Sequence, residues 1–214
     1  MKELLIASAI VGLFYYLKTR KLPANEIKDS WITPAEDYKF GFPITETTGE
    51  SKVMSYRNII MLEATNRGID PAIIASIIYQ ESKGEPDTKT FEANVLDYSW
   101  GLMQIRGATA EWLDFKGDKN KLLDPRVNIF LGVKYLSHQL DRYIANSVSG
   151  NPVKDAISAY NAGTAYYNNG VYSNQTKYVT PVLKEIPRFR TMFNNYFAGY
   201  KTLFPTDTWQ VWED

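Results

Sequence analysis

The chain has 214 residues, 44% of them hydrophobic, with 24 basic and 24 acidic side chains that cancel to zero net charge. A neutral chain offers no cationic field to hold nucleic acid, so binding energy has to come from a shaped groove. The absence of cysteine excludes disulfides, thiolate catalysis and Cys-based zinc sites, and a single histidine, His138, excludes a multi-histidine metal centre.

Residues Leu4 to Leu17 carry no charge. A helix over this run would be about 21 Å long at ~1.5 Å per residue, short of a ~30 Å hydrocarbon core. The run ends in Tyr15, Tyr16, Leu17 and Lys18, with no small-x-small cleavage site. Residues 1–21 are therefore expected to form an uncleaved membrane anchor, with a signal peptide or a buried core helix as alternatives. Lys18, Arg20 and Lys21 follow the run, which by the positive-inside rule holds the following domain on the cytoplasmic side. A virus component would escape that conflict.

Residues 22–50 read as a linker, broken by Pro23, Pro34, Pro43, Gly41 and Gly49. Helices are expected from Ser51 onward. Val53 to Asn66 places Val53, Tyr56, Ile60 and Ala64 at helical spacing. Three further helices open on the same signal, a capping Asp or Asn followed by Pro at the first helical position: Asp70-Pro71, Asp124-Pro125 and Asn151-Pro152. The second of these should run to about Ala145, with Ile129, Val133, Leu136 and Leu140 on one stripe and His138 in solvent. Residues 84–100, with Gly84 and Pro86, are expected to be loop with a short hairpin. Residues 191–214 form an aromatic-rich tail, expected to dock on the domain.

Glu81 is the candidate catalytic residue. In the segment 70–82, Ile74, Ile77 and Ile78 form a stripe, and Glu81 lies seven, four and three residues beyond them. A carboxyl group is thereby placed on the apolar face at a helix end, where Gly84 and Pro86 stop the helix. Partial desolvation disfavours the charged form and raises the pKa, as a general acid in glycosidic cleavage requires. A helix-terminal Glu that curls into solvent fits this segment equally well.

Four stretches in order resemble the signature of the lytic transglycosylases, relatives of goose-type lysozyme. They are Gln80-Glu81-Ser82; Gly101-Leu102-Met103-Gln104-Ile105; Asn128-Ile129 with Gly132 and Tyr135-Leu136; and Ala159-Tyr160-Asn161-Ala162-Gly163. A fifth, Lys177-Tyr178-Val179 with Val182-Leu183, resembles the family's closing helix start. The resemblance implies a mainly α, lysozyme-like domain of two lobes with a central cleft, over residues 51–190.

It further implies that Glu81 cleaves the β-1,4 bond between N-acetylmuramic acid and N-acetylglucosamine in peptidoglycan. A 1,6-anhydro ring closes without water, and no metal or cofactor is needed. Substrate-binding roles fall to Ser99, Met103, Gln104, Tyr160, Asn161 and Tyr178. Gly101 would turn the backbone beneath the substrate, Met103 would offer a soft apolar contact, and Tyr160 would lie close to the acid, with Tyr178 a hydrogen-bond donor on the cleft wall. Ile129, Tyr135 and Leu136 are expected in the core. Asn94 and Asp97 rival Ser99 for the small polar position that precedes the Gly-Leu-Met-Gln run.

The expected partners are glycan strands, a membrane through residues 4–17, and virion or envelope proteins, at the cell envelope or in a virion. Two other readings stay open. One is a hydrolytic muramidase in which Asp97 positions a water. The other is a silent virion or wall-binding protein that keeps the fold without catalysis.

Overall fold

The computed structural model describes residues 48–196. The expected anchor and most of the expected linker and aromatic tail lie outside these residues. Among the described residues no helix is long and apolar enough to cross a membrane.

The described fold is mainly helical. Helices α1 (Gly49–Ser55), α2 (Arg57–Arg67) and α3 (Pro71–Ser82) come first. A three-stranded antiparallel sheet follows, with β1 (Lys89–Glu92), β2 (Asp97–Trp100) and β3 (Ile105–Arg106) in that order. After α4 (Gly107–Trp112) and a 3-10 turn (Lys119–Leu123) come the long α5 (Pro125–Ala145) and α6 (Pro152–Ala162). A small hairpin, β4 (Tyr167–Asn168) and β5 (Val171–Tyr172), precedes a π-helical turn (Gln175–Val179) and α7 (Thr180–Tyr196).

All three expected Asp/Asn-Pro starts form. The Asp70 carboxylate accepts from the amide of Ala72, Asp124 from those of Arg126 and Val127, and Asn151 from that of Lys154. Each satisfies an amide that the first helical turn leaves without a partner. The helix expected over 53–66 is instead two, broken at Tyr56, whose φ of −94° and ψ of 9° leave the helical region. Folding also begins before Ser51. The Thr48 side chain caps α1, and Glu50 pairs with Arg188 of α7. At the other end, α7 continues to Tyr196 and buries Phe193 completely, so the first residues of the tail belong to this helix.

Helix α3 is the central strut. Every residue from Pro71 to Ile78 is buried, so the isoleucine stripe is part of an all-round apolar surface. Helices α1, α2 and α7 enclose it, with Phe189 and Phe193 of α7 in the core. Only its last turn, Tyr79 to Glu81, leaves the core. Burial of several full isoleucine side chains, each worth roughly 1.5–3 kcal/mol, holds that end in place.

The sheet has one strand more than the expected hairpin, because the Gly-Leu-Met-Gln run bends the chain back from β2 into β3. The pairing sets Thr90 opposite Ser99 and Ser99 opposite Arg106. Cross-strand partners share a face, so these three form one row. The second hairpin was not expected, although Asn169-Gly170 is a strong turn signal: both residues have positive φ, 49° and 82°.

Candidate active site

Helix α3 ends on three residues with three different tasks. The Gln80 carboxamide donates to the carbonyl of Lys177, tying α3 to the π-helical turn. The buried Ser82 hydroxyl donates to the carbonyl of Leu102, tying α3 to the bend after β2. Between them Glu81 faces a cleft of about 590 Å³. Thr90, Glu92, Asn94, Val95, Ser99, Gln104 and Arg106 line the sheet side of that cleft, and Tyr135, Tyr160, Asn161, Ala162 and Gly163 the helical side.

The Tyr178 hydroxyl donates to Oε1 of Glu81 at 2.6 Å. Burial pushes the Glu81 carboxyl up to about 7, against the opposing pull of the Tyr178 hydrogen bond, and the negative charge of Glu92 raises it further. The ordering follows from physics: removing an ionised carboxylate from water costs more than one neutral donor returns. Near neutral pH Glu81 can therefore both give and take a proton.

Both tyrosines lie near the acid. Tyr178 contacts the acid directly. Tyr160, 7% exposed, donates instead to the carbonyl of Met103 at 2.9 Å and packs its ring 5.3 Å from that of Tyr135. Burial and the nearby Glu81 hold both phenols well above the usual tyrosine range, so both remain hydrogen-bond donors.

Met103 does not face the cleft. It is 0% exposed, packed against Gly132 of α5, where any Cβ would collide with its thioether. An apolar side chain gains more from the core than from a wet groove, and the glycine in the long helix is the matching socket. Gly101 likewise serves the interior. Its φ is +69°, and a Cβ there would collide with Asn128 and the carbonyl of Leu122, not with a substrate.

Asn128 organises this corner. Buried completely, it accepts from the amide of Met103 and donates to the carbonyls of Trp100 and Leu122, each at 2.7 Å. Gln104 reaches the cleft, but its amide nitrogen is committed to the carbonyls of Thr88 and Gly101. The oxygen end of its carboxamide is what remains for a ligand.

Ser99 is buried on the cleft row and donates to Glu92 at 3.0 Å. Asp97 lies outside the cleft lining and accepts from the amide of Ala108, in the first turn of α4. Asn161 lines the cleft and accepts from Asn174. Tyr135, expected in the core, is half-buried and lines the cleft. His138 is exposed as expected, and its ring packs on Trp112.

Sequence reasoning missed Glu92, Thr90 and Arg106. For Thr90 and Glu92 the signal is period-2 alternation. Thr90 and Glu92 share one face of β1, and Lys89 and Phe91 the other. It is hard to read because Phe91 and Tyr98 are exposed aromatics that cover each other on the outer face, 5.0 Å apart.

The model of the transglycosylase SLT domain family matches residues 58–179, which include α3, the sheet, α5, α6 and the π-helical turn. This chain belongs to the SLT domain family. The SLT domain is similar to membrane-bound lytic murein transglycosylase E of Buchnera aphidicola subsp. Acyrthosiphon pisum, 30% identical over 114 residues that make up 50% of this chain and 49% of the relative. It is also similar to a transglycosylase of Enterobacteria phage PRD1, 32% identical over 118 residues, 55% of this chain and 38% of the relative.

An inactive mutant of the lytic transglycosylase Slt from Pseudomonas aeruginosa superposes on 66% of this chain and 25% of its own, with a TM-score of 0.53 and 25% identity. The chain thus spans about half or less of the length of these curated relatives.

Proposed function

We propose that this SLT domain cleaves the β-1,4 bond between N-acetylmuramic acid and N-acetylglucosamine in peptidoglycan, by a non-hydrolytic route with Glu81 as acid and then base. The observation that carries the proposal is a carboxyl group held up to about 7 by burial, facing an open cleft with one phenol fixed on it. The sheet on one side and the helix ends on the other supply the two walls of a lysozyme-like groove.

Glu81 gives its proton to the linking oxygen as the bond to the muramic C1 breaks. The neighbouring 2-acetamido group assists at C1. The resulting Glu81 carboxylate then takes the proton from the C6 hydroxyl, whose oxygen closes the 1,6-anhydro ring. Proton and bond counts balance, and Glu81 is restored. The intramolecular hydroxyl benefits from proximity, so the route requires no second acid. Tyr178 holds Oε1 and steadies the carboxylate between the two steps. Tyr160 fixes the bend that carries Gln104. Gln104 and Asn161 offer polar contacts to the sugars.

The site of action proposed is the cell envelope, with Leu4 to Leu17 as the anchor. Names of two kinds among the relatives support it: one is membrane-bound and one belongs to a phage. A phage-borne wall-cleaving protein is a second form of the same proposal. Mass analysis of products from purified sacculi tests the reaction. Anhydro-muramic ends are expected. Reducing ends would replace the proposal with hydrolysis, for which Glu92, and not Asp97, is the second carboxylate in the cleft. No products would replace it with a binding role.

A further inference from the structure

We propose that Arg106 is a carboxylate-reading residue of the cleft, which selects glycan strands carrying an acidic group over neutral amino-sugar polymers. The inference rests on the peptidoglycan reading above and assigns it a specificity element.

Arg106 closes the row Thr90–Ser99–Arg106 that the strand pairing puts on one face, and all three residues line the cleft with Glu81. Among the described residues that line the cleft it is the one cation, beside two carboxylates, Glu81 and Glu92. Its guanidinium forms no ion pair among the described residues, and Glu92 is held by Ser99 instead. Its positive charge is nonetheless felt inside the cleft, where it counteracts the rise that burial imposes on Tyr135.

The backbone is fixed on both sides. Arg106, in β3, pairs with Ser99 of β2 and is the residue that leads into α4. A half-buried arginine on a rigid strand, with five donors and no acceptor among the described residues, is built to receive a planar anion two bonds at a time. Neutral sugar hydroxyls do not need it. The anion that peptidoglycan offers beside the scissile bond is a carboxylate. It comes either from the lactyl ether of muramic acid freed of peptide or from the stem peptide.

The test uses the full chain with Glu81→Gln, so that ligands bind without being cut, and compares it with the Glu81→Gln, Arg106→Gln double variant by calorimetric titration. Three probes are used: glycan fragments with stem peptides, the same fragments stripped by an amidase, and N-acetylglucosamine hexamer, which has no carboxylate. The double variant should bind the acidic fragments roughly tenfold more weakly or worse and the hexamer unchanged, the size of a lost charge-assisted contact. Loss confined to stripped fragments identifies the lactyl group, and loss confined to peptide-bearing fragments the stem peptide.

Equal weakening on all three probes, or none on any, overturns the inference. If Arg106→Gln perturbs folding, Arg106→Lys carries the test. It keeps the charge but loses the fork, and its preference for acidic fragments should shrink and fall further with salt. A preference independent of salt overturns the inference. If Glu81→Gln alone binds none of the three, the glycan reading itself falls and this inference with it. If the probes bind but Arg106→Gln changes the affinity for none of them, this inference alone falls.

Discussion

The phenol of Tyr178 and the carboxyl of Glu81 lie 97 positions apart in the chain and share a 2.6 Å hydrogen bond. Three features create it. An apolar helix carries Glu81 to the edge of the core, Gln80 ties that edge to the π-helical turn, and the turn aims Tyr178 back at the acid. The bond opposes the burial and the Glu92 charge that keep the proton on Glu81.

Removing either neighbour of Glu81 should therefore shift the pH profile, in opposite directions. The groups that face Glu81 are Tyr178, Tyr160 and Glu92. A general acid works when protonated, so activity should fall as pH rises through about 7. Tyr178→Phe removes a donor that favours the ionised form, which raises the Glu81 pKa and moves the alkaline limb to higher pH. Glu92→Gln removes a like charge and moves that limb to lower pH. The measurement is kcat/KM against pH on solubilised glycan strands. Shifts in the same direction would contradict the balance described for this carboxyl.

Glu81 should cost the fold stability at neutral pH. Its folded-state pKa of about 7 exceeds the usual carboxylate value of 4.5, so the folded chain binds more protons between these limits. Stability from this group is therefore intact below pH 4.5 and is lost as pH rises towards 7 and beyond. Glu81→Gln should raise stability at pH 8 by on the order of 3 kcal/mol and leave it unchanged near pH 4. Thermal melts at the two pH values check this. An equal gain at both would assign the effect to packing instead of charge.

Much of this was legible in the sequence. The three Asp/Asn-Pro starts carry their own hydrogen bonds, so local residues decide them. Helical spacing set Glu81 beside the isoleucines but fitted a solvent-curled side chain equally well, and its candidacy came from the resemblance. The misassignments concern Met103 and Gly101, whose roles depend on partners 25 to 29 positions away, Asn128 and Gly132, which no local pattern announces. Glu92 escaped because the four-residue β1, with Phe91 exposed on its outer face, does not look amphipathic, and Arg106 because β3 is only two residues long.

The Met103–Gly132 socket gives its own prediction. Gly132→Ala should destabilise the chain by about 1–3 kcal/mol, the usual cost of overpacking a filled core. Met103→Ala should be destabilising too, through the cavity it leaves. The double variant should be less destabilised than the sum of the two, because the new methyl enters space that the thioether vacates. Denaturant melts of all four proteins give the coupling, and strict additivity would show that the two positions do not share one space.

Glu81 is proposed to deliver and retrieve the proton in cleavage of peptidoglycan. The most direct measurement compares release of soluble fragments from purified sacculi by the unaltered chain and by Glu81→Gln, after melts show that both are folded. The amide is nearly isosteric and cannot donate an acidic proton, so the expected loss is roughly a hundredfold or more. Activity of the variant within about tenfold of the unaltered chain would be too large a residue of catalysis for the loss of an acid–base group, and would contradict the account.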